Sequence, residues 1–387
     1  MKVLHFTHTI NKYDFIDNVI RHLDKSEFEP SVLTLTENAT IADTEYLKEG
    51  IEHSVIEYRR RRDFFKVALK VRKYIKLQKI EIIHSHHFEP TLLACAATIF
   101  LPSVKLIIGR QYADEIYLLT SGLKRQILLL LEAIVNRRAS LIIVPSKPVR
   151  DLLVDKQSVN SRKVVVAHYP LDPEKYAEID FSRVFKLRSS ILGDARADSV
   201  LIGTFSRLHW EKGHKYLLEA ISLLCRSTDK FLCIIIGDGP EMGKIQADIE
   251  VLGIRDYVRL LGWRTDVPDL IAACDIVVHP SLHESFCQVM VEAMWQSKPF
   301  VVTNVPGPSD IIEDGISGLL VPLRNSERLA DGILRLMENS ELRQDMGEEA
   351  KRRIRNTLSL SATIPVYESA YRLVYYGPDS PQMTSTC

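Results

Sequence analysis

Short runs of aliphatic and β-branched residues recur along the chain, separated by longer stretches in which apolar positions return at helical spacing. Runs of that kind read as strands buried on both faces, and the amphipathic stretches between them as the crossover helices of a parallel sheet. In the first half the pattern predicts strands at residues 3–8, 31–36, 53–58, 80–86, 105–109, 141–145 and 163–168. In the second half it predicts them at 201–207, 231–237, 258–262, 275–279, 300–303 and 318–321. Residues 215–224 and 267–274 show the helical period between strands. No internal repeat of roughly 20–50 residues interrupts the alternation.

A polar, strand-poor stretch, PLDPEKYAEIDFSRVFKLRSS, begins at Pro170 between the two series. It divides the chain into an N-terminal domain at 1–172, a connector at 173–199 and a C-terminal domain at 200–360. A last helix at about 361–376 is free to pack back on the first domain, and the tail GPDSPQMTSTC reads as frayed. The expected fold class is α/β, with two doubly wound, Rossmann-like domains facing across a cleft and ligands taken at the carboxyl ends of the strands.

Composition narrows the function classes. The chain has 387 residues, 46% of them apolar, which is enough for two cores and excludes a disordered, collagenous or disulfide-stapled protein. Fifty Lys+Arg against 50 Asp+Glu leave no net charge, so a nucleic-acid partner held by bulk charge is not expected. Six cysteines, Cys95, Cys225, Cys233, Cys274, Cys287 and Cys387, form no C-x-x-C pair and read as buried thiols of a reducing compartment. The start, MKVLHFTHTI, is broken by His5 and His8 and reads as a strand, not a signal peptide. The longest apolar stretches, 92–102 and 127–135, fall short of the ~18 residues a spanning helix needs. A cytoplasmic location follows, with peripheral contact at the inner face of the membrane left open.

The informative chemistry lies between Asp275 and Pro322. A buried strand ends at His279, a loop follows, and a helix is expected from about Ser285–Phe286, with Glu284 just before it and Glu292 two turns inside. Unpaired N–H groups at a helix start favour an anion, while carboxylates beside them accept hydroxyls, which together suit a phosphate-bearing sugar ligand. Taken alone, the two glutamates read equally as a helix-start acid and a solvated helix residue. In GTFSRLHWEKGH, Arg207 ends a strand and Lys212 opens the next helix, a spacing that lets two cations converge on one diphosphate. IIGDGPEMGKI is a poor dinucleotide fingerprint and reads as a tight strand-to-helix turn. In LLGWRTDVPDL, the trio Gly262, Trp263 and Arg264 stands where a flat base could sit, although a core tryptophan fits the same place.

Together SRLHWEKG, GDGP, LLGWRTDVPDL, HPSLHESFCQVMVEAM and GISGLLVP, in register over about 200–322, resemble a retaining glycosyltransferase of family 4 with the GT-B fold. The N-terminal half resembles it only in outline, through MKVLHFTH, EIIHSHH and LIIVPS. The resemblance implies that Arg207 and Lys212 hold the donor diphosphate, Glu284 the sugar hydroxyls and Glu292 the ribose. It also places Ser285, Phe286 and Cys287 along the phosphates and Gly262–Arg264 by the base. The family usually carries glycines where Ser285 and Cys287 stand, a glycine pair in the first loop where this chain reads THTINKYDF, and a His after the fifth strand where this chain reads Arg110-Gln111-Tyr112. Arg110 is the candidate replacement for that His, as a hydrogen-bond donor to sugar or acceptor. The His84-Ser85-His86-His87 cluster is expected to face the same cleft, and because adjacent strand residues point oppositely it is not expected to bind a metal. No D-x-D occurs in the chain, so metal-independent transfer is expected.

Residues 59–79 concentrate ten Lys+Arg against the single acid Asp63, with Phe64, Ala68, Val71 and Ile75 at helical spacing. The run reads as a sheet-covering helix whose basic face could dock on an anionic membrane or a lipid-diphosphate acceptor. The resulting expectation is transfer of a sugar from a UDP- or GDP-linked donor to a glycan or lipid-linked acceptor, with no further cofactor. The rivals are a nucleotide-sugar epimerase or hydrolase on the same fold, a non-catalytic nucleotide-binding relative and, more distantly, a Rossmann oxidoreductase.

Overall fold

All thirteen expected strands are present, each bounded within two residues of the sequence reading. The computed structural model describes residues 1–8, 10, 14–36, 44–58, 61–111, 116, 120–176 and 179–378. Much of the first loop, Arg59, Arg60, Tyr112 and the tail from residue 379 therefore lie outside the described residues.

Contacts divide the chain into two compact units, Met1–Asp172 with Leu360–Cys387, and Pro173–Ser359. In the first unit, β1 (Lys2–Thr7), β2 (Glu29–Thr36), β3 (Glu52–Glu57), β4 (Ile82–His86), β5 (Lys105–Gly109), β6 (Leu141–Val144) and β7 (Val164–Val166) form one parallel sheet in the order β3-β2-β1-β4-β5-β6-β7. In the second, β8 (Val200–Phe205), β9 (Phe231–Ile236), β10 (Val258–Gly262), β11 (Ile276–His279), β12 (Phe300–Thr303) and β13 (Leu319–Val321) pair in the order β10-β9-β8-β11-β12-β13. The winding reverses between β1 and β4 and again between β8 and β11. Loops diverge at such switch points and leave room for a ligand. This is the GT-B architecture.

Both sheets are covered on both faces, which is why their strands are apolar without alternation: all six residues of β9 and all four of β11 are buried. The helix Leu360–Tyr376 completes the first unit. Its Tyr367 and Tyr371 pack with Val3, Val19, Phe28 and Ile82 in one core cluster.

Residues 173–199 belong to the second unit and contain a helix, Phe181–Leu192. Asp180 caps it by accepting from Ser182 N, and Gly193 ends it at φ 69°. Arg183 reaches Asp269, and Arg188 reaches Asp275 and the Ala273 carbonyl, so the stretch is fastened by charge-assisted bonds. Its polar sequence reflects this ion pairing, which a strand-oriented reading takes for a linker. Among the described residues, no helix is long and apolar enough to cross a membrane.

Candidate active site

Glycine backbone sets the geometry where β8 and β11 part. A Cβ on Gly213, which sits at φ +69°, would stand 2.0 Å from the Pro280 carbonyl oxygen. Only glycine lets the loop after β8 press against the loop after β11 this closely, and Leu282 N donates across to the Glu211 carbonyl at 2.7 Å. Gly237, in the GDGP turn after β9, would likewise place a Cβ 1.9 Å from the Ser206 carbonyl oxygen. The turn thus works by close backbone packing, and three strand-end loops form one continuous floor.

Glu284 stands on that floor. Its Oε1 accepts from Lys212 Nζ at 2.5 Å and from Ser281 Oγ at 3.3 Å, and lies 2.7 Å from His279 Nε2. Among the described residues, Oε2 has no protein partner. Burial alone would raise the carboxyl's pKa, but the His279 hydrogen bond and the attraction of His279 and Lys212 outweigh it and hold the group at about 2. The group is therefore a fixed carboxylate with one oxygen saturated and the other available to a hydroxyl.

Glu292 repeats the arrangement one helix further on. In the helix Gln288–Trp295 it is buried, and its Oε1 takes Lys175 Nζ at 2.5 Å and Gln288 Nε2 at 3.4 Å. Lys175 comes from the stretch read as a connector, so its part here has no local sequence signal. The helix starts at Gln288, later than expected, because Cys287 holds the left-handed conformation at φ 71° and ψ 75°. That conformation explains the family's preference for glycine at this position. Phe286 and Cys287 are buried and Ser285 is half-buried, with Gly307 N donating to the Glu284 carbonyl behind them.

Arg207 is 79% exposed and holds Glu211 only at 3.4 Å, which leaves its guanidinium able to turn toward a bound anion. Trp263 is 72% exposed, which rules out a core role. Gly262 sits at φ +67° and its carbonyl accepts from Gly237 N at 2.8 Å, while Arg264 is fixed to Asp266 by two bonds of 2.8 and 2.5 Å.

Among the described residues, two clusters offer metal-ligand atoms: His279 with Glu284 and Cys287, and His5 with His84 and His86. In the first, a lysine ammonium already occupies Glu284 Oε1, and burial together with the Glu284 charge pushes the Cys287 thiol well above its usual pKa. Neither feature suits a cation. The second cluster corrects the sequence reading: His84 and His86, two residues apart, share a face of β4, and His5 joins them from β1.

Comparison with known proteins fits this geometry. Residues 194–353 match the family described as Glycosyl transferases group 1, and residues 15–175 match Glycosyltransferase Family 4. The chain belongs to glycosyltransferase family 4. It is 30% identical over 239 residues to the alpha-D-kanosaminyltransferase of Streptomyces kanamyceticus, covering 61% of each chain. It is 22% identical over 312 residues, 79% of each chain, to the Escherichia coli UDP-Gal:alpha-D-GlcNAc-diphosphoundecaprenol alpha-1,3-galactosyltransferase. The match thus spans about three fifths of the Streptomyces relative and more of the Escherichia coli one. Among solved structures, Anabaena Alr3699/HepE in complex with UDP superposes with a TM-score of 0.81 at 22% identity, over 96% of this chain and 99% of that one.

Family membership sharpens what departs from expectation in the first unit. Arg110, the candidate replacement for the family's histidine, is buried: it forms an ion pair with Glu132 and donates to Gln157 at 2.8 Å. Gln157 in turn donates to Glu132 Oε2 at 2.8 Å. A guanidinium held on two sides inside the unit has the surroundings of a structural group. Of the His84–His87 cluster, only His87 is exposed. His5, His84 and His86 are buried in the first unit, together with Tyr371.

Proposed function

We propose that this family 4 chain is a retaining glycosyltransferase. It moves a sugar from a nucleotide-sugar donor, UDP- or GDP-linked, to an acceptor hydroxyl in cell-surface polysaccharide or lipid-linked glycan synthesis. The observation that carries the reading is Glu284: a permanent carboxylate at the switch point, saturated on one oxygen by Lys212 and His279 and unpaired on the other. Oε2 accepts a hydroxyl of the donor sugar, and the matching oxygen of Glu292 accepts the ribose. Trp263 and Gly262 flank the base.

In the reaction the acceptor oxygen attacks the anomeric carbon as the bond from that carbon to the diphosphate oxygen breaks. The electron pair goes to the diphosphate, and the acceptor proton passes to a diphosphate oxygen. Lys212 keeps one N–H on Glu284 and turns another to the developing charge, and Arg207 swings in from solvent to share it. With its pKa near 2, Glu284 is not a proton donor at neutral pH, so its work is positioning and electrostatics. With Lys212 on Glu284, cationic side chains take the role a divalent ion would have, and the step runs without metal.

The Escherichia coli relative is named for a diphosphoundecaprenol acceptor, which supports a lipid-linked acceptor here. Lys66, Lys70, Lys73 and Lys76 are exposed along the helix Phe64–Gln78 and supply the basic face of residues 59–79 for an anionic membrane on the cytoplasmic side. Incubation with UDP- and GDP-hexoses in EDTA, with and without lipid-diphosphate acceptors, tests the proposal. Acceptor-dependent product with the donor's anomeric configuration supports it. Free sugar released without acceptor points to the hydrolase or epimerase reading.

A further inference from the structure

The helix Gly122–Arg138 is turned inside out. Its buried residues are Glu132, Val135 and Asn136, while Leu123, Ile127, Leu130 and Ile134 are 71%, 49%, 62% and 52% exposed. Those four recur at intervals of four, three and four residues, so they form one continuous apolar stripe on one helix face. Scattered surface leucines need no explanation, but a stripe of this kind does. It borders a groove of about 540 Å³ with mostly apolar walls, among them Phe64, Phe88, Leu92, Ile127, Leu128 and Leu131. Phe65 and Leu69, on the helix Phe64–Gln78, extend the exposed apolar surface.

Charge decides what covers this surface. The described exposed charges of the two flanking helices are Lys66, Lys70, Lys73 and Lys76 on one and Lys124 and Arg137 on the other, while the carboxylate in the groove wall, Glu89, is half-buried beside His8 and Tyr58. The only acid within the helix Gly122–Arg138, Glu132, is buried against Arg110. A second copy of this chain would bring cation against cation. An amphiphile with a hydrocarbon chain and an anionic head satisfies both features at once, with the chain in the groove and the head among the lysines.

We propose that the groove takes the hydrocarbon chain of a lipid-linked acceptor, and that the stripe Leu123, Ile127, Leu130 and Ile134 lies in the leaflet from which the acceptor is drawn. The inference rests on the transferase reading above and names its acceptor class. The test uses the full chain with phosphatidylcholine vesicles, with and without phosphatidylglycerol, and calorimetric titration with farnesyl phosphate. UDP and GDP binding is followed in parallel.

Wild-type protein is expected to sediment with the anionic vesicles and to bind farnesyl phosphate saturably. The triple variant L123Q/I127Q/L130Q, altered only at exposed positions, is expected to lose vesicle affinity by about tenfold or more. Its nucleotide affinity and melting temperature should be unchanged. L128W, which fills the groove, should lose farnesyl phosphate and keep the vesicles. A wild type that binds nucleotide but neither probe overturns the inference, as does a triple variant that binds vesicles undiminished. A stripe whose substitution turns a dimer into a monomer, without vesicle binding by either form, assigns the surface to a second copy and also overturns it. Absence of nucleotide binding would instead strike the transferase reading, whatever the vesicles show.

Discussion

Lys212 Nζ lies 2.5 Å from Glu284 Oε1, and neither side chain is more than 14% exposed. The two residues are 72 positions apart, on loops after β8 and β11, and the pair exists because Gly213 lets those loops touch. Removing one partner of a buried pair leaves the other charge uncompensated, at a cost of about 3–5 kcal/mol. Here His279 stays on Glu284 Oε1, so Lys212→Ala should cost less, about 1–3 kcal/mol in urea unfolding. Glu284→Gln keeps the shape but weakens the hydroxyl acceptor, and kcat/KM should fall by about 10²–10³ with the fold retained. A Glu284→Gln enzyme of unchanged activity would remove Glu284 from the site.

Acid should act on the two units in different pH windows. In the first unit burial lowers His5 to about 3, and burial with neighbouring histidines holds His84 and His86 well below 6.5. These histidines bind protons more readily unfolded than folded, so the first unit gains stability as pH rises toward about 6.5 and loses it on acidification below that. Glu284 has the depressed carboxylate's window: its contribution is complete above about 4.5 and is lost as pH falls toward 2. In the second unit burial lowers His214 to about 4. Hydrogen exchange at pH 7 and pH 5 should show amides of the first unit losing protection ahead of those of the second. Equal loss in both units would contradict the assignment.

The buried histidines also form a chain with one consistent set of tautomers. Gln111 Nε2 lies 3.3 Å from His86 Nδ1, His86 Nε2 3.2 Å from His5 Nδ1, His5 Nε2 3.5 Å from the Tyr371 hydroxyl, and that hydroxyl 2.9 Å from His84 Nδ1. If Gln111 donates, every later donor is fixed and each histidine carries its proton on Nε2. Tyr371→Phe breaks the chain at the helix Leu360–Tyr376 and should cost about 1–3 kcal/mol. Thermal melting reads the loss, and an unchanged midpoint would mean the chain adds nothing to stability.

Arg110 provides a contrast with Lys212. Arg110→Met leaves Glu132 buried without its cation and should destabilise the first unit by about 3–5 kcal/mol. If Arg110 serves only to pair Glu132, nucleotide affinity measured where the variant is still folded should not change. A variant of normal stability with impaired transfer would place Arg110 in the site.

Cys287 tests the strain at the phosphate-side loop. Left-handed backbone costs a non-glycine residue about 1–2 kcal/mol, which roughly offsets the burial of one small thiol. Cys287→Gly should therefore melt within a few degrees of the wild type. Cys287→Val, β-branched at φ 71°, should melt well below both. If the glycine variant collapses, the thiol's packing matters more than the backbone's conformation.

The strands were legible because fully buried parallel strands are apolar without interruption, as in FLCIII of β9 and IVVH of β11. The Glu284 loop was legible because Lys212, Gly213 and Glu284 fall at strand ends, where the fold places ligands. Lys175 was not, since a lysine in a polar stretch gives no sign that it will meet Glu292 from 117 residues away. The partners of Arg110 were hidden for a related reason. Its place after β5 is the right place for a substrate contact, but the buried Glu132 and the half-buried Gln157 that hold it lie 22 and 47 residues further on. His5 escaped notice because its partnership with His84 and His86 is a matter of strand order, β1 beside β4, which a linear reading does not show.

The central claim is that Lys212 and Glu284 form the floor of a metal-independent nucleotide-sugar site. Calorimetric titration of UDP and GDP in EDTA, on the wild type and on Lys212→Ala, addresses it most directly. The account predicts binding of one of the two nucleotides without metal, weakened by about tenfold or more in the variant, as expected for loss of a charge-assisted phosphate contact. Folded wild-type protein that binds neither nucleotide, or a Lys212→Ala variant that binds as tightly as the wild type, would contradict it.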